Sequence, residues 1–522
     1  MPNDKMIEKA TIELREDLAG AIDTFHNDEA LKVIAEEHGQ NEWDAAEEKR
    51  LVRKIDWKLL PLLCLTYGLQ YYDKAMLSQA AIFGLRDDLD LNVGNRYTFS
   101  SAILYMGFLT GSYPATVLAQ KYPIERVAGG LVFTWGVCLM STAGCTSFRG
   151  LYAQRFFLGC LEAGISPIFM LVVGGWYEKG EQALRMGAWF CCTGYFGAVS
   201  PLVNYGLGQI SGGTLSSWQY MYLVAGSITV LWALVILFFL PSDPIRARGF
   251  SSRERYIAVA RLRKNNSGIR NLHWKSSQLI ESLTDAKFWL SFFMAFFMMF
   301  GNGPYSTVSS LLQCCFGFSA LNSLLLTVPA GVFVGSVELG ACYAAFKLKN
   351  SRTIIMFLCQ FPTVAASLLL WLLPRHELGG SLLAVFIIAS FGGTYAVLLG
   401  LTIANCAGYT KKTTFSAGLF VGYCLGNIAG PLIFREQDAP RYAPGFIVVL
   451  ITAILTQVLT IMYRYLCILE NKKRDKSGIL EGFDHAYEDD LTDKMVTLPY
   501  RQDTLYKLTF YTRIPNFATH TE

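Results

Sequence analysis

The chain has 522 residues, 52% of them hydrophobic and only 16% charged, with a formal net charge of +4. Soluble domains of ordinary composition carry roughly 25% charged residues, so the composition excludes a typical soluble enzyme and points to a chain that crosses a membrane many times. A net charge this small gives no ground for a nucleic-acid partner.

The thirteen Cys are scattered, most of them inside apolar segments, as in Cys191-Cys192 and Cys314-Cys315. No CxxC pair and no Cys/His cluster occurs, so neither a metal site nor a disulfide framework is expected. The six His are His26, His38, His273, His376, His485 and His520, and none falls inside an apolar segment. An enzyme would lack its acid–base or metal constellation, and no cofactor is expected. No short apolar core follows Met1, so the first apolar segment is expected to serve as an uncleaved signal-anchor.

In chain order, apolar segments run at about 59–84, 97–119, 126–146, 150–175, 185–210 and 219–240. A second set follows at about 288–315, 320–346, 353–373, 380–405, 413–434 and 444–467. Each is long enough to cross a bilayer as a helix, which needs ~20 residues. The expected fold is therefore all-α and polytopic, with twelve transmembrane helices in two six-helix halves. The expected organisation is an N-terminal tail at 1–56, one half at 57–240 and a central loop at 241–287. A second half at 288–467 and a C-terminal tail at 468–522 complete it.

Lys and Arg set the expected orientation. The even loops carry Lys121, Arg126, Lys179, the Arg246–Lys287 cluster, Lys347, Lys349, Arg352, Lys411 and Lys412. The odd loops hold only Arg86, Arg96, Arg149, Arg375, Arg435 and Arg441. The positive-inside rule then places both tails and the central loop in the cytosol. The sequon Asn265-Asn266-Ser267 falls in that loop and is expected to stay unglycosylated. The loop's basic run suits anionic lipid heads or an ordinary cytosolic linker equally well.

An internal repeat supports the division. Gly107-x-x-x-Gly111 precedes Lys121 and Arg126, and Gly331-x-x-x-Gly335 precedes Lys347 and Arg352. The glycine pairs are offset by 224 residues and the basic pairs by 226. Matched segments in two halves are the mark of a transporter built from repeats.

Charges at membrane depth carry the candidate chemistry. Asp73 and Lys74 lie about fifteen residues into the first segment, roughly 22 Å along a helix. Each costs about 2.5–3.5 kcal/mol to insert, so such residues are by default functional candidates. Thr66, Gln70 and Asp73 share one helical face. Arg155, Gly159, Glu162 and Ser166 do so in the fourth segment, which puts Glu162 near the midplane. A low dielectric disfavours a charged carboxylate, and a nearby cation restores it. A substrate anion that competes for that cation would thereby couple its binding to protonation. The alternative is a buried ion-pair network with no role in transport.

Asn302, Asn405 and Asn427 are polar at depth and either face substrate or bridge helices. Gly301-Asn302-Gly303-Pro304 is expected to break the seventh segment. Gly418, Gly422, Gly426 and Gly430, then Pro431, form a row suited to close helix contact. Glu338 reads as interfacial, near the cytoplasmic end of the eighth segment.

These residues resemble the major facilitator superfamily, and more closely the fungal allantoate permease group of anion:cation symporters. The resemblance covers roughly residues 50–495. It rests on the string from Lys54 to Leu62, on Tyr72-Asp73-Lys74, and on Arg155-Phe-Phe-Leu-Gly159-Cys-Leu-Glu162. Later strings run from Asn405 to Lys412, from Gly422 to Pro431, and from Asp438 to Tyr442.

It implies alternating access and proton-coupled uptake of a small organic anion such as a ureide, vitamin, amino acid or small peptide. It also implies proton coupling at Asp73 and Glu162. Lys74, Arg155, Gln70, Asn302, Asn405 and Asn427 are the candidate substrate contacts. The implied partners are the substrate, protons and the bilayer, for a monomer in the plasma membrane. Proton-driven efflux is the alternative, although Gly194-Tyr-Phe-Gly197-Ala-Val-Ser-Pro201 does not meet the exporter signature. Two departures stand out. Gln120 replaces the usual acidic residue after the second segment, and the tail after Pro499 is unlike the family.

Overall fold

The computed structural model describes residues 43–477 apart from 211–212, 242, 245–246, 265–275, 307–318, 349, 375–376, 407–408 and 439–440. The sequon, Cys314-Cys315, the N-terminal tail up to residue 42 and the tail after 477 lie outside the described residues. Among the described residues every regular element is helical. Apolar segments fold this way because only a helix satisfies its own backbone in a solvent without hydrogen bonds.

The first region contains α1 (Ala45–Ala80), α2 (Arg96–Lys121), α3 (Ile124–Ser141), α4 (Phe148–Glu162), α5 (Ile165–Trp176) and α6 (Lys179–Phe190). It continues with α7 (Cys192–Gly208), α8 (Ser217–Phe239) and α9 (Ser252–Lys264). Then come α10 (Ser276–Leu283), α11 (Ala286–Met298), α12 (Asn302–Ser306), α13 (Ala320–Leu325) and α14 (Thr327–Lys347). The last are α15 (Arg352–Leu372), α16 (Leu378–Ile387), α17 (Phe391–Ala404), α18 (Tyr409–Ile433) and α19 (Ala443–Ser477). Local chemistry sets several ends. Gly84 takes φ +94° just beyond α1, a conformation that glycine adopts without strain. Gln219 accepts from the backbone N–H of Ser216 at 2.8 Å and so caps α8.

Among the described residues, ten helices or helix pairs are long and apolar enough to cross a membrane. An eleventh is the pair Ser276–Leu283 and Ala286–Pro304, bent by 65°. The remaining expected span is α1. Its 36 residues are long enough, but Gln70, Asp73 and Lys74 make it more polar than the others. The break expected at Gly301–Pro304 is present, as a 3-10 turn at Met299–Gly301 that separates α11 from α12. The fifth span breaks at Cys191, between α6 and α7, and not at Pro201, which lies inside α7.

The chain divides into two compact units. One contains Met1–Arg270 with Ser319–Val328, and the other Asn271–Phe318 with Pro329–Glu522. In the first, α8 packs on α3, α2 on α4, and α1 on α7. Gly107 and Gly111 let α2 meet α4. A Cβ at Gly107 would lie 2.9 Å from the Cys160 nitrogen, and one at Gly111 would strike the Cys160 carbonyl. In the second unit, α15 packs on α19 and α11 on α18. The glycine row of α18 is the reason for the latter contact. A Cβ at Gly422 would lie 2.6 Å from the Phe292 carbonyl oxygen, and one at Gly426 would meet that of Phe296.

Two expectations change. The helix α9 of the central loop is docked on the first unit. Lys54 pairs with Glu254 at 2.7 Å and Arg253 with Glu47 at 3.2 Å. Arg261 is 1% exposed and pairs with Glu181 at 3.0 Å. These charges are therefore engaged within the protein, and the segment is not a plain linker. Glu338 is not interfacial either. It is buried in the middle of α14, because Gly392 of α17 leaves room for its carboxylate.

The ends of the two units share a further feature. Arg185 on α6 makes a two-pronged contact with Asp56 on α1, at 2.8 and 3.1 Å. In the second unit, Lys411 on α18 meets Glu281 on α10 at 2.8 Å and Asp285 just before α11 at 3.2 Å.

Candidate functional site

The first unit gathers Gln70, Asp73, Lys74, Arg155 and Glu162, all from α1 and α4. The helical spacing of α1 sends its polar residues to different neighbours. Asp73 is fully buried, and its Oδ2 accepts from Trp135 Nε1 at 2.7 Å on α3 and from Thr229 Oγ1 at 3.4 Å on α8. Its Oδ1 has no hydrogen-bond partner among the described residues. Asp73 therefore fastens α1 to two other helices through one oxygen.

Glu162 stands where the fourth span breaks. The helix α4 ends at Glu162 and α5 begins at Ile165. The Gln70 amide donates to the Glu162 main-chain carbonyl at 3.0 Å, which ties α1 to the end of α4. The Glu162 carboxylate itself is fully buried, and neither of its oxygens has a hydrogen-bond partner among the described residues. The nearest cation is Lys74, with Nζ 4.0 Å from Oε2. That is an ion pair, but too long for a hydrogen bond. Lys74 also sits 4.5 Å from the centre of the Phe108 ring, and 16% of its side chain is exposed.

Arg155 is 1% exposed and donates to the Tyr222 hydroxyl on α8 at 2.8 Å. Two turns of α4 separate it from Glu162, so one stripe carries both charges, as expected from their spacing. Ser166 lies beyond the break, and Gly159 faces α2, where a Cβ would strike the Leu104 carbonyl.

Beside this cluster lies a network that sequence reasoning missed. Asn204 on α7 is fully buried. It accepts from the Tyr72 hydroxyl at 3.0 Å and donates to Gln79, while Gln79 donates to Ser200 at 2.8 Å. Trp135, Thr229 and Tyr222 were also missed. Their only signal in the sequence is a polar atom inside an apolar segment, and many such residues merely bond their own helix. Thr66 does so, to the Leu62 carbonyl at 2.6 Å, and also accepts from Trp232.

The asparagines belong to the second unit. Asn302 at the break of the seventh span donates to Asn427 Oδ1 at 2.6 Å, and Asn427 donates to the Tyr423 carbonyl. Asn405 follows the last residue of α17 and donates to the Tyr463 hydroxyl at 3.0 Å. The structure thus joins Asn302 to Asn427 and bonds Asn405 to α19.

Chemically, the first unit offers a buried carboxylate free of hydrogen bonds next to a partly accessible ammonium. Such a pair can exchange a proton or yield its cation to an incoming anion. Among the described residues no group of His, Cys, Asp and Glu is arranged to hold a metal.

Comparisons agree with this architecture. The sequence is 33% identical over 449 residues to an uncharacterised transporter of Schizosaccharomyces pombe, covering 86% of this chain and 84% of that protein. It is 30% identical over 485 residues to the allantoate permease of Saccharomyces cerevisiae, covering 89% and 88%. A solved structure of a proton:xylose symporter aligns with TM-score 0.55 at 15% identity, over 76% of this chain and 94% of that one. Residues 63–467 match the Major Facilitator Superfamily profile. The candidate membrane spans among the described residues, with charges buried on α1 and α4, thus belong to a multi-pass transport protein, a member of the major facilitator superfamily.

Proposed function

We propose that the protein is a proton-coupled importer of a small organic anion, working by alternating access at the plasma membrane. The observation that carries this reading is the Glu162 carboxylate, fully buried with no hydrogen-bond partner among the described residues and 4.0 Å from Lys74. A group in that setting gains or loses a proton without breaking any hydrogen bond. When Glu162 is protonated, Lys74 loses its counter-charge and is available to a substrate carboxylate. When Glu162 is ionised, it competes for Lys74 and favours release.

In this reading Asp73, whose second oxygen is also unbonded, shares the proton-carrying role. Arg155 is held by Tyr222 and contributes a fixed positive charge on the same stripe. Gln70 serves by fixing the broken end of α4. The paired amides of Asn302 and Asn427 are candidate contacts for the polar part of the substrate. The name of the allantoate permease relative points to a small carboxylate, which suits a cation at the site.

The test is uptake in vesicles. A panel of labelled nicotinate, pantothenate, allantoate and dipeptides first finds a substrate. Glu162→Gln imitates the protonated carboxyl. It should retain counterflow at equal pH and lose the accumulation driven by a pH gradient. Gradient-driven accumulation at the wild-type level would refute the role. Loss of both activities would mark Glu162 and Lys74 as a structural pair.

A further inference from the structure

Glu338 is a buried carboxylate that the mechanism above does not use. Glu338 is the twelfth residue of α14 and only 3% exposed. It lies nine residues before Lys347, about 14 Å from that end of the helix by the helical rise. An ionisable residue so deep in a span is costly and is retained where it has a task.

Its surroundings are specific. The Glu338 carboxylate fills the space that a Cβ on Gly392 would occupy, and that Cβ would come within 3.3 Å of Glu338 Cδ. A Cβ on the next residue, Gly393, would lie 3.0 Å from Val337 Cγ1 and 3.3 Å from Cys359 Sγ. Two glycines in a row therefore let α14 and α15 close on α17 at this level.

The tenth span is broken at the same place. A 3-10 turn at Ile388–Ser390 separates α16 from α17. The Ile388 carbonyl accepts from Thr363 at 2.9 Å, and Thr363 and Ser390 share a hydrogen bond at 3.0 Å. On the same stripe of α15 lies Gln360, 1% exposed, with neither amide atom hydrogen-bonded among the described residues. Apolar packing alone does not call for such a patch, since each unsatisfied buried polar group costs about 1–3 kcal/mol.

The repeat gives this break a counterpart. The offset of 226 residues between the basic pairs carries Glu162 onto Ile388. Each unit thus has a broken fourth helix with a buried carboxylate at the break. In the first unit that carboxylate stands on the helix, as Glu162. In the second it is delivered by a neighbour, as Glu338.

We propose that Glu338, seated against Gly392 at the broken tenth span, is a second proton-binding site of this transporter, distinct from Glu162 and Asp73. The ligand class follows from the group itself: a carboxylate that already fills the space beside Gly392 takes up a proton with almost no added volume. The Cys359 thiol of α15 lies at the same level, 3.3 Å from where a Cβ on Gly393 would stand. The helix α17 carries no charged residue, and α15 carries only Arg352 at its first position. The proposal rests on the proton-coupled reading only for its use in transport, since proton binding at Glu338 is measurable without substrate.

The experiment is infrared difference spectroscopy on the purified full chain in lipid while pH is cycled. The carboxyl C=O band reports protonated carboxylic acids directly. One component should vanish in Glu338→Gln and persist in Glu162→Gln. Where Glu338→Gln fails to fold, Glu338→Asp should keep the component and displace it. Gly392→Ala should shift its midpoint, because the added Cβ forces the carboxylate out of its seat. A carboxyl band unaltered by both Glu338 substitutions, or a midpoint unmoved in Gly392→Ala, would overturn the proposal. Vesicle accumulation that ignores a pH gradient in the wild type would instead sink the proton-coupled reading and leave the Glu338 band in place.

Discussion

Lys74 on α1 and Glu162 on α4 stand 4.0 Å apart, with the ammonium partly exposed and the carboxylate fully buried. In the proposed function the accessible cation meets the substrate and the buried carboxylate carries the proton behind it. Replacing Lys74 by Gln should raise the half-saturating substrate concentration by roughly 10- to 100-fold, since a charge-assisted hydrogen bond contributes about 1.5–3 kcal/mol. Labelled uptake at fixed pH, normalised to surface expression, checks it. An unchanged half-saturation would remove Lys74 from the binding site.

Trp135 is the firmest partner of Asp73, at 2.7 Å. Trp135→Phe keeps an aromatic ring there but removes the short donor, leaving Asp73 Oδ2 only the longer Thr229 bond among the described residues. Losing such a bond to a buried carboxylate costs about 1–3 kcal/mol. Thermal unfolding of the purified protein should show the loss. Asp73→Asn combined with Trp135→Phe should cost less than the sum of the singles, because the partners act as one unit. Strict additivity would mean the contact is energetically idle.

Gly426 of α18 lies against the Phe296 carbonyl of α11, where a Cβ has no place. The neighbour is backbone, so relief requires the helices to part. Gly426→Leu should destabilise the second unit by about 1–3 kcal/mol or more, as overpacking does. Surface expression and detergent stability measure it. Substitution at Gly340, where a Cβ would meet open space, is the control and should be tolerated.

Docking of α9 should depend on pH. Burial pushes the Glu254 carboxyl up, but the Lys54 ammonium and the Ser251 hydrogen bonds outweigh it and hold the group below its ordinary value. A depressed acid contributes stability above its unfolded value, near about 4.3, and that contribution is lost as pH falls through the folded value. The pair is partly exposed, so the effect is modest, about 0–1 kcal/mol. Hydrogen exchange should show α9 protection declining as pH falls below about 4.3. In Glu254→Gln protection should be lower at neutral pH and lack this acid-dependent step.

Hydrophobic runs, basic loops and the positions of Asp73, Lys74, Arg155 and Glu162 were legible in the amino-acid order alone. They were legible because bilayer crossing is a one-dimensional constraint: ~20 apolar residues in a row make a span wherever the rest of the chain lies. The same holds for charge at depth and for the glycine row of α18, whose four-residue spacing marks one face. Which groups meet is a different matter. That Asp73 turns to Trp135 and Thr229, Arg155 to Tyr222, and Gln70 to a carbonyl freed by a helix break depends on three helices far apart in sequence. Glu338 shows the limit most plainly. Its place near the end of an apolar segment suggested an interface. The tertiary fold buries it, because Gly392, fifty-four positions away, offers the volume its carboxylate needs. Span and polarity are properties of neighbouring residues along the chain, whereas burial and partnership are properties of packing.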